Sequence, residues 1–328
     1  MRFIDRYFYA PTPLQKLLAL LLLPISLLYL TASILRRRLS RYRDFHIPII
    51  SVGNLIAGGS GKTPFIMQIA KDYEGAAIIL RGYKRKSKGL VIVSQWGEIL
   101  VSQEAAGDEA YLIASKLPRA TIIVCKKRAL AIEKAKELGA KVIFLDDGFR
   151  FCYKKLNILL EPQLKPYYRF CLPSGIYREN PSLSVRADIL VREGRDYERE
   201  VTLRDPTPHM LLVTAIANPT RLERYLPNVV GKITLLDHSS FDEALLREEM
   251  EKLGATSLLI TQKDEVKMLD FNLPLSILEL ELKISPTILE RIKAYITQGQ
   301  ATSTHSISLT PPKPHRLRGF PLIWTRRS

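Results

Sequence analysis

Short β-branched runs alternate with helical stretches along most of the chain. Runs at 47–52, 76–80, 121–125, 142–145, 156–160 and 187–191 are mostly apolar and four to six residues long, which suits buried strands. Helical patterns at 65–70, 110–117 and 128–138 fall between them. Residues 90–93 and 98–101, on either side of Trp96-Gly97, read as a hairpin. Strands alternating with helices predict a mostly parallel α/β sheet wrapped by helices. A second, smaller α/β unit follows, with strands at 210–214, 232–236, 257–261 and 275–280 and helices near 220–225, 241–253 and 286–296. Thr261-Gln262-Lys263-Asp264 ends one of those strands and caps a helix running to Met268. The charged, proline-bearing stretch 192–208 reads as the link between the two units. No internal repeat is present.

The N-terminal pattern is different. Residues 17–35 are almost entirely apolar, interrupted by Pro24 and a few hydroxyl side chains. As one helix they would be about 28 Å long, barely a membrane span, with a kink at the proline. Arg36, Arg37, Arg38, Arg41 and Arg43 follow and outnumber Arg2, Arg6 and Lys16 on the other side. The positive-inside rule therefore places the bulk of the chain in the cytoplasm. Three readings remain: a single anchor, a helix lying in the interface with its arginines on anionic headgroups, or a helix buried in the globular core. From Thr302 the chain is rich in Ser, Thr and Pro and then basic, and disorder is expected. The predicted layout is a membrane-associated helix with a basic collar (1–45), a core domain (46–205), a smaller α/β domain (206–300) and a tail (301–328).

Charge narrows the function. A net charge of +16 points to an anionic partner. Cys125, Cys152 and Cys171 show no paired or C-x-x-C spacing, which suits reduced thiols of a cytosolic protein rather than a disulfide framework or metal site. Histidines are few and scattered, which also speaks against a resident metal cluster.

The candidate chemistry centres on residues 47–65, IPIISVGNLIAGGSGKTPF. A buried strand runs into a loop made of Ile56, Ala57, Gly58, Gly59, Ser60 and Gly61, and Lys62-Thr63 opens a helix. The order matches a phosphate-binding P-loop, except that Ile56 stands at the first glycine position. In such a loop backbone N–H groups and the helix N-terminus meet the phosphates, the lysine reaches the β/γ-phosphates and the threonine serves Mg²⁺. The fold class predicted is thus P-loop NTPase-like, with ATP and Mg²⁺ as cofactors. Downstream, the strand at 142–145 ends in Asp146-Asp147, where P-loop folds hold the metal. Side chains alternate along a strand, so one of the two carboxylates suffices for that role. Arg81 and Tyr83 open a basic, glycine-flanked loop suited to phosphate or headgroup. Asp108 and Glu109 start a helix, where acidic residues are favourable in any case. His238 follows Asp237 at a strand end.

Taken in order, these stretches resemble the tetraacyldisaccharide 4′-kinase family, the lipid A 4′-kinases of Gram-negative envelopes. The resemblance is carried by the apolar N-terminus with its arginines, SVGNLIAGGSGKTPF, RGYKRKSKG, GDEAYLIA, VIFLDDGF, LPSGIYRE, the Ala217-Asn218-Pro219 turn, LDH and TQKDEVK, spread over about 14–296. It implies transfer of the ATP γ-phosphoryl group to the 4′-hydroxyl of an acylated glucosamine disaccharide 1-phosphate, at the cytoplasmic face of the inner membrane. By position it puts Lys62 on the phosphates, Thr63, Asp146 and Asp147 on the metal, and Asp108 as general base tuned by His238. Arg178 would meet anionic phosphate, and the loop around Arg81 and Tyr83 the substrate or headgroup. The implied partners are the lipid substrate and the membrane surface, with no obligate protein partner.

Two departures mark the chain as a divergent member: Arg150-Phe151 follow Asp-Asp-Gly-Phe where the family has Gln-His, and Asn180 follows Arg178-Glu179 where the family has Pro. Two other function classes compete. A membrane-associated P-loop ATPase or GTPase would act on a partner instead of a lipid, although no guanine-reading N-K-x-D is present. A nucleic-acid binder would suit the charge but not the lack of interleaved aromatics or a recognised motif.

Overall fold

The structure, a computed structural model, describes residues 3–58, 61–216, 219–236 and 239–307. Three helices come first: α1 (Phe3–Tyr9), α2 (Pro13–Leu21) and α3 (Leu23–Leu39). The larger sheet is then built from β1 (Ile49–Gly53), α4 (Lys62–Ala70), β2 (Ala76–Leu80), the hairpin β3 (Val91–Gln95) and β4 (Glu98–Ile99), α5 (Gln103–Ala106) and α6 (Asp108–Lys116). It continues through β5 (Thr121–Val124), α7 (Arg128–Glu137), β6 (Val142–Asp146), β7 (Leu156–Leu160) and β8 (Ile189–Val191).

Its eight strands run in the order β4-β3-β5-β2-β6-β1-β7-β8, parallel except at the β3–β4 hairpin edge. The fully apolar strands lie in the middle because both faces are covered. On one face Phe65, Ile66 and Ile69 of α4 and Ile113 of α6 pack on Ile50, Ile78 and Phe144; on the other, Ala131, Ile132 and Ala135 of α7 pack on Ile49, Ile79 and Ile143. Strand β1 sits between β6 and β7, with Val52 beside Asp146. That pairing brings the loop after β1 and the acidic end of β6 together at the carboxyl edge, where open α/β sheets bind ligands.

The smaller sheet comprises β9 (Tyr197–Arg204), β10 (Met210–Thr214), β11 (Val229–Thr234), α8 (Glu243–Leu253), β12 (Ser257–Thr261), α9 (Gln262–Glu265), β13 (Leu275–Ile284) and α10 (Pro286–Ile307). Its order is β11-β10-β12-β13-β9. The stretch 192–208, expected to be a link, instead carries β9, an edge strand antiparallel to β13 from Tyr197–Ile284 to Arg204–Ile277. Its charges alternate with residues that pack inward, such as Val201 and Leu203. A charged solvent face is normal for an edge strand and hides its period in composition. The two sheets also share a core: Tyr197, Leu282 and Ile284, with Ile288, Ile292 and Ile296 of α10, join the cluster on the larger sheet. Helix α10 runs to Ile307, into the stretch expected to be a disordered tail; residues 308–328 lie outside the described residues.

The single kinked helix expected over 17–35 is two helices, α2 and α3, bent by 51° at Leu22. Among the described residues no single helix is long and apolar enough to cross a membrane, although the bent pair passes by length and composition. The buried-core reading is overturned. Leu17, Leu20, Leu21, Leu27, Leu28, Leu35 and Leu39 are each more than half exposed, while Gln15, Ala19, Ser26 and Ser33 are buried. Ser26 and Ser33, with the Tyr29 hydroxyl, form the docking face, while Thr31 is exposed and bonds the Leu28 carbonyl of its own helix. Ser26 Oγ accepts from the Ser174 N–H at 2.9 Å, Ser33 donates to Glu179 Oε2 at 2.8 Å, and the Tyr29 hydroxyl donates to the Arg178 carbonyl at 3.0 Å.

Candidate active site

The loop after β1 is pinned before it reaches the glycines. Ala57 N–H donates to the Ile176 carbonyl at 2.9 Å, and Arg178 N–H to the Leu55 carbonyl at 2.8 Å. Ile56 forms an isolated bridge with Tyr177 and is buried. A side chain at the first motif position is thus accommodated by packing. Gly61 then takes the left-handed conformation at φ 79° as the N-cap of α4, which a side chain disfavours. A Cβ on Gly61 would also lie 2.6 Å from Arg199 Nη2. Lys62 and Thr63 begin α4 and line a cleft of about 640 Å³ between the two sheets, together with Gly58, Arg81, Tyr83, Asp146, Asp147 and Arg178. Gly59, Ser60 and His238 lie outside the described residues.

Asp146 closes β6 and is buried, and its Oδ1 has no hydrogen-bond partner among the described residues. Burial pushes its carboxyl up to about 6 against the opposing charge of Lys62. A desolvated carboxylate with an unsatisfied oxygen, lining the same cleft as Thr63, suits a hard dication. Among the described residues no group of three or more His, Cys, Asp or Glu gathers; Mg²⁺ needs few protein ligands where phosphates supply the rest.

Asp147 differs from its neighbour. Its backbone φ is 54°. Both carboxylate oxygens accept from Arg178, at 2.9 and 3.0 Å, and Arg150 stands 3.8 Å away. Burial works to raise this carboxyl, but Lys62, Arg178 and Arg150 outweigh it and hold it below the usual carboxylate range. Sequence reasoning missed Asn54, whose buried Oδ1 accepts from Lys62 Nζ at 3.2 Å and from Arg178 Nη2 at 2.5 Å. Its only signal was its place inside the loop motif.

Asp108 begins α6 and accepts from Gln103 Nε2 at 2.9 Å. Gly107 and Glu109 beside it line the cleft. Lys267 of the smaller sheet approaches its Oδ2 to 3.7 Å. The loop after β2 divides its charges. Arg81 and Tyr83 face the cleft, whereas Arg85 bonds Ser87 and the Gly89 carbonyl, and Lys86 pairs with Glu104.

Arg199, Arg221 and Arg224 reach the cleft from the smaller sheet. Arg199 Nε donates to Glu193 at 3.0 Å, and Arg224 Nη2 donates to the same carboxylate at 2.9 Å. Nothing in the composition of the supposed link at 192–208 marked Glu193 or Arg199, and Arg221 and Arg224 come from the short helical segment Pro219–Tyr225. A second cavity of about 220 Å³ opens beside α3, lined by Arg36, Arg37, Arg81, Lys126, Arg128 and Arg150 with Asp147 and Glu179. Arg36 and Arg37, the first two arginines after the apolar run, and the divergent Arg150 therefore share one basic pocket.

Comparisons with known proteins show the family of the chain. The sequence profile of the tetraacyldisaccharide-1-P 4′-kinase family matches residues 18–297. A tetraacyldisaccharide 4′-kinase of Helicobacter acinonychis is 56% identical over 295 residues, covering 90% of this chain and 95% of that protein. One from Campylobacter jejuni is 43% identical over 296 residues, covering 90% and 96%. A crystal structure of LpxK from Aquifex aeolicus in complex with ATP superposes with a TM-score of 0.69 at 30% identity, covering 86% of this chain and 99% of that one. The chain belongs to the tetraacyldisaccharide-1-P 4′-kinase family.

Proposed function

We propose that this protein transfers the γ-phosphoryl group of ATP to the 4′-hydroxyl of a tetraacylated glucosamine disaccharide 1-phosphate, a step of lipid A biosynthesis. The observation that carries the reading is the cleft itself: a strand–loop–helix phosphate cradle facing an acidic strand end, in a chain whose relatives bear that activity in their names. Lys62 and the loop residues Ile56 to Thr63 hold the nucleotide. Thr63 and Asp146 hold Mg²⁺, with Asp147 beside them. Bound there, Mg²⁺ supplies charge neutralisation on the phosphates. Asp108 accepts the hydroxyl proton, because phosphoryl transfer asks the protein for positioning, charge and one base. His238 is proposed to orient that base. Arg178, Arg81 and Tyr83 meet the acceptor, and the basic pocket beside α3 suits a phosphate monoester.

The substrate's acyl chains keep it in a bilayer, so the enzyme must work at that surface. Exposed leucines on α2 and α3, followed by Arg36, Arg37 and Arg38, suit an apolar face in the inner membrane with cations on cytoplasmic headgroups. The test is transfer of labelled γ-phosphate from ATP to the tetraacyl-disaccharide 1-phosphate in detergent micelles. A labelled lipid that disappears in Lys62→Ala is expected. Hydrolysis of ATP with no lipid product would replace this reading with an ATPase acting on a partner.

A further inference from the structure

Lys267 belongs to the TQKDEVK stretch and follows α9, on the smaller sheet. Its side chain is 7% exposed. The ammonium lies 3.7 Å from Asp108 Oδ2 on the larger sheet and 3.9 Å from Asp264 Oδ1 on its own. It donates to the Ser239 carbonyl at 3.2 Å and sits 5.5 Å from the Phe241 ring centroid.

Asp264 is wholly buried and well held. It accepts from Thr214 Oγ1 and Thr261 Oγ1, both at 2.8 Å, and from the Ala215 N–H at 3.2 Å. It thus anchors Lys267 to the rigid end of the smaller sheet. A buried ammonium is costly unless paired, and here one of its two carboxylate partners comes from the other sheet. On the larger sheet Asp108 accepts from Gln103 Nε2 and stands at the start of α6.

We propose that Lys267 is a positioning residue for the phosphoryl transfer. It keeps the Asp108 carboxylate correctly aimed, and it ties that carboxylate to Asp264 across the cleft. The base is then fully set only when the smaller sheet stands against the larger one. This rests on Asp108 being the base, as proposed above.

The experiment is a double-mutant cycle in the lipid kinase assay, with the full-length protein in detergent micelles. Lys267→Gln removes the charge but keeps a donor for the Ser239 carbonyl, so the fold is retained; thermal melting checks this. It is expected to lower kcat by roughly 10- to 100-fold while KM for ATP moves less than about threefold. In an Asp108→Asn background the same change is expected to cost less than about threefold, because residues acting as a unit are not additive. Lys267→Arg is expected to recover most of the lost rate. An equal loss in both backgrounds, or wild-type turnover in Lys267→Gln, overturns the proposal. Near-wild-type turnover in Asp108→Asn alone overturns the choice of base, and the proposal with it.

Discussion

Arg178 grips Asp147 by both carboxylate oxygens, at 2.9 and 3.0 Å, and the same guanidinium reaches Asn54 Oδ1, which also accepts from Lys62. A continuous polar chain therefore runs from the phosphate-loop lysine to the acidic end of β6. A guanidinium can make this fork and a point-charge ammonium cannot. Arg178→Lys is expected to lower kcat/KM by roughly 10- to 100-fold, about 1.4 to 2.7 kcal/mol of transition-state stabilisation. Steady-state kinetics varying ATP and lipid separately would check it, and an unchanged kcat/KM would sink the idea.

Gly61 carries two constraints at once: a left-handed backbone at φ 79° and the Arg199 guanidinium in the space of a Cβ. Arg199 is not free to yield, because Glu193 holds it, and that carboxylate is itself shared with Arg224. Gly61→Ala is expected to destabilise the fold by about 1–3 kcal/mol and to weaken ATP binding. Adding Arg199→Ala should relieve the steric part but not the backbone part. Chemical denaturation of the single and double variants separates the two.

Asp146 makes stability depend on pH. Its folded-state value is raised to about 6 from 3.8. Between those values the folded protein binds more protons than the unfolded chain, so stability falls as pH rises through this window. The penalty is complete above about 6, where it is at most about 3 kcal/mol. Asp146→Asn, in metal-free buffer, should therefore unfold at higher denaturant than the native protein at pH 7.5. That advantage should be gone near pH 4. Mg²⁺ with ATP should stabilise the native protein and not the variant, which should be at least about a hundredfold slower. Equal stability of the two proteins at pH 7.5 would refute the account.

The outward leucines of α2 and α3 predict an apolar contribution to membrane binding, and the arginines that follow predict an electrostatic one. Leu20→Ser with Leu28→Ser should reduce sedimentation with vesicles at every salt concentration. Replacing Arg36, Arg37 and Arg38 by Gln should reduce it only with anionic vesicles at low salt, since screening removes surface attraction beyond about 10 Å at 0.1 M. Vesicle binding unaffected by either set would remove these helices from the membrane reading.

Much of the larger sheet was legible because its strands are buried on both faces, and such strands are written as continuous apolar runs. Residues 76–80 and 156–160 were read with the bounds they have in β2 and β7. Strand β9 was not legible, since half of an edge strand faces water and its charges resemble a linker. The apolar N-terminus reads as one helix kinked at Pro24; the break falls at Leu22, two residues earlier, and Pro24 stands in the first turn of α3.

By itself the sequence determined the strand–loop–helix cradle, the acidic strand end, the alternation of strands and helices, and an N-terminal apolar segment with a cationic collar. Those features are local, and each is encoded in neighbouring residues. Only the tertiary structure decided that Ser26 and Ser33 face inward while leucines face out, that Asp147 is claimed by Arg178 while Asp146 keeps an open oxygen, and that Arg199 and Lys267 reach across the cleft. Those relationships join residues tens to more than a hundred positions apart. Strand order and the packing of one sheet against the other bring them together, and no local pattern carries that information.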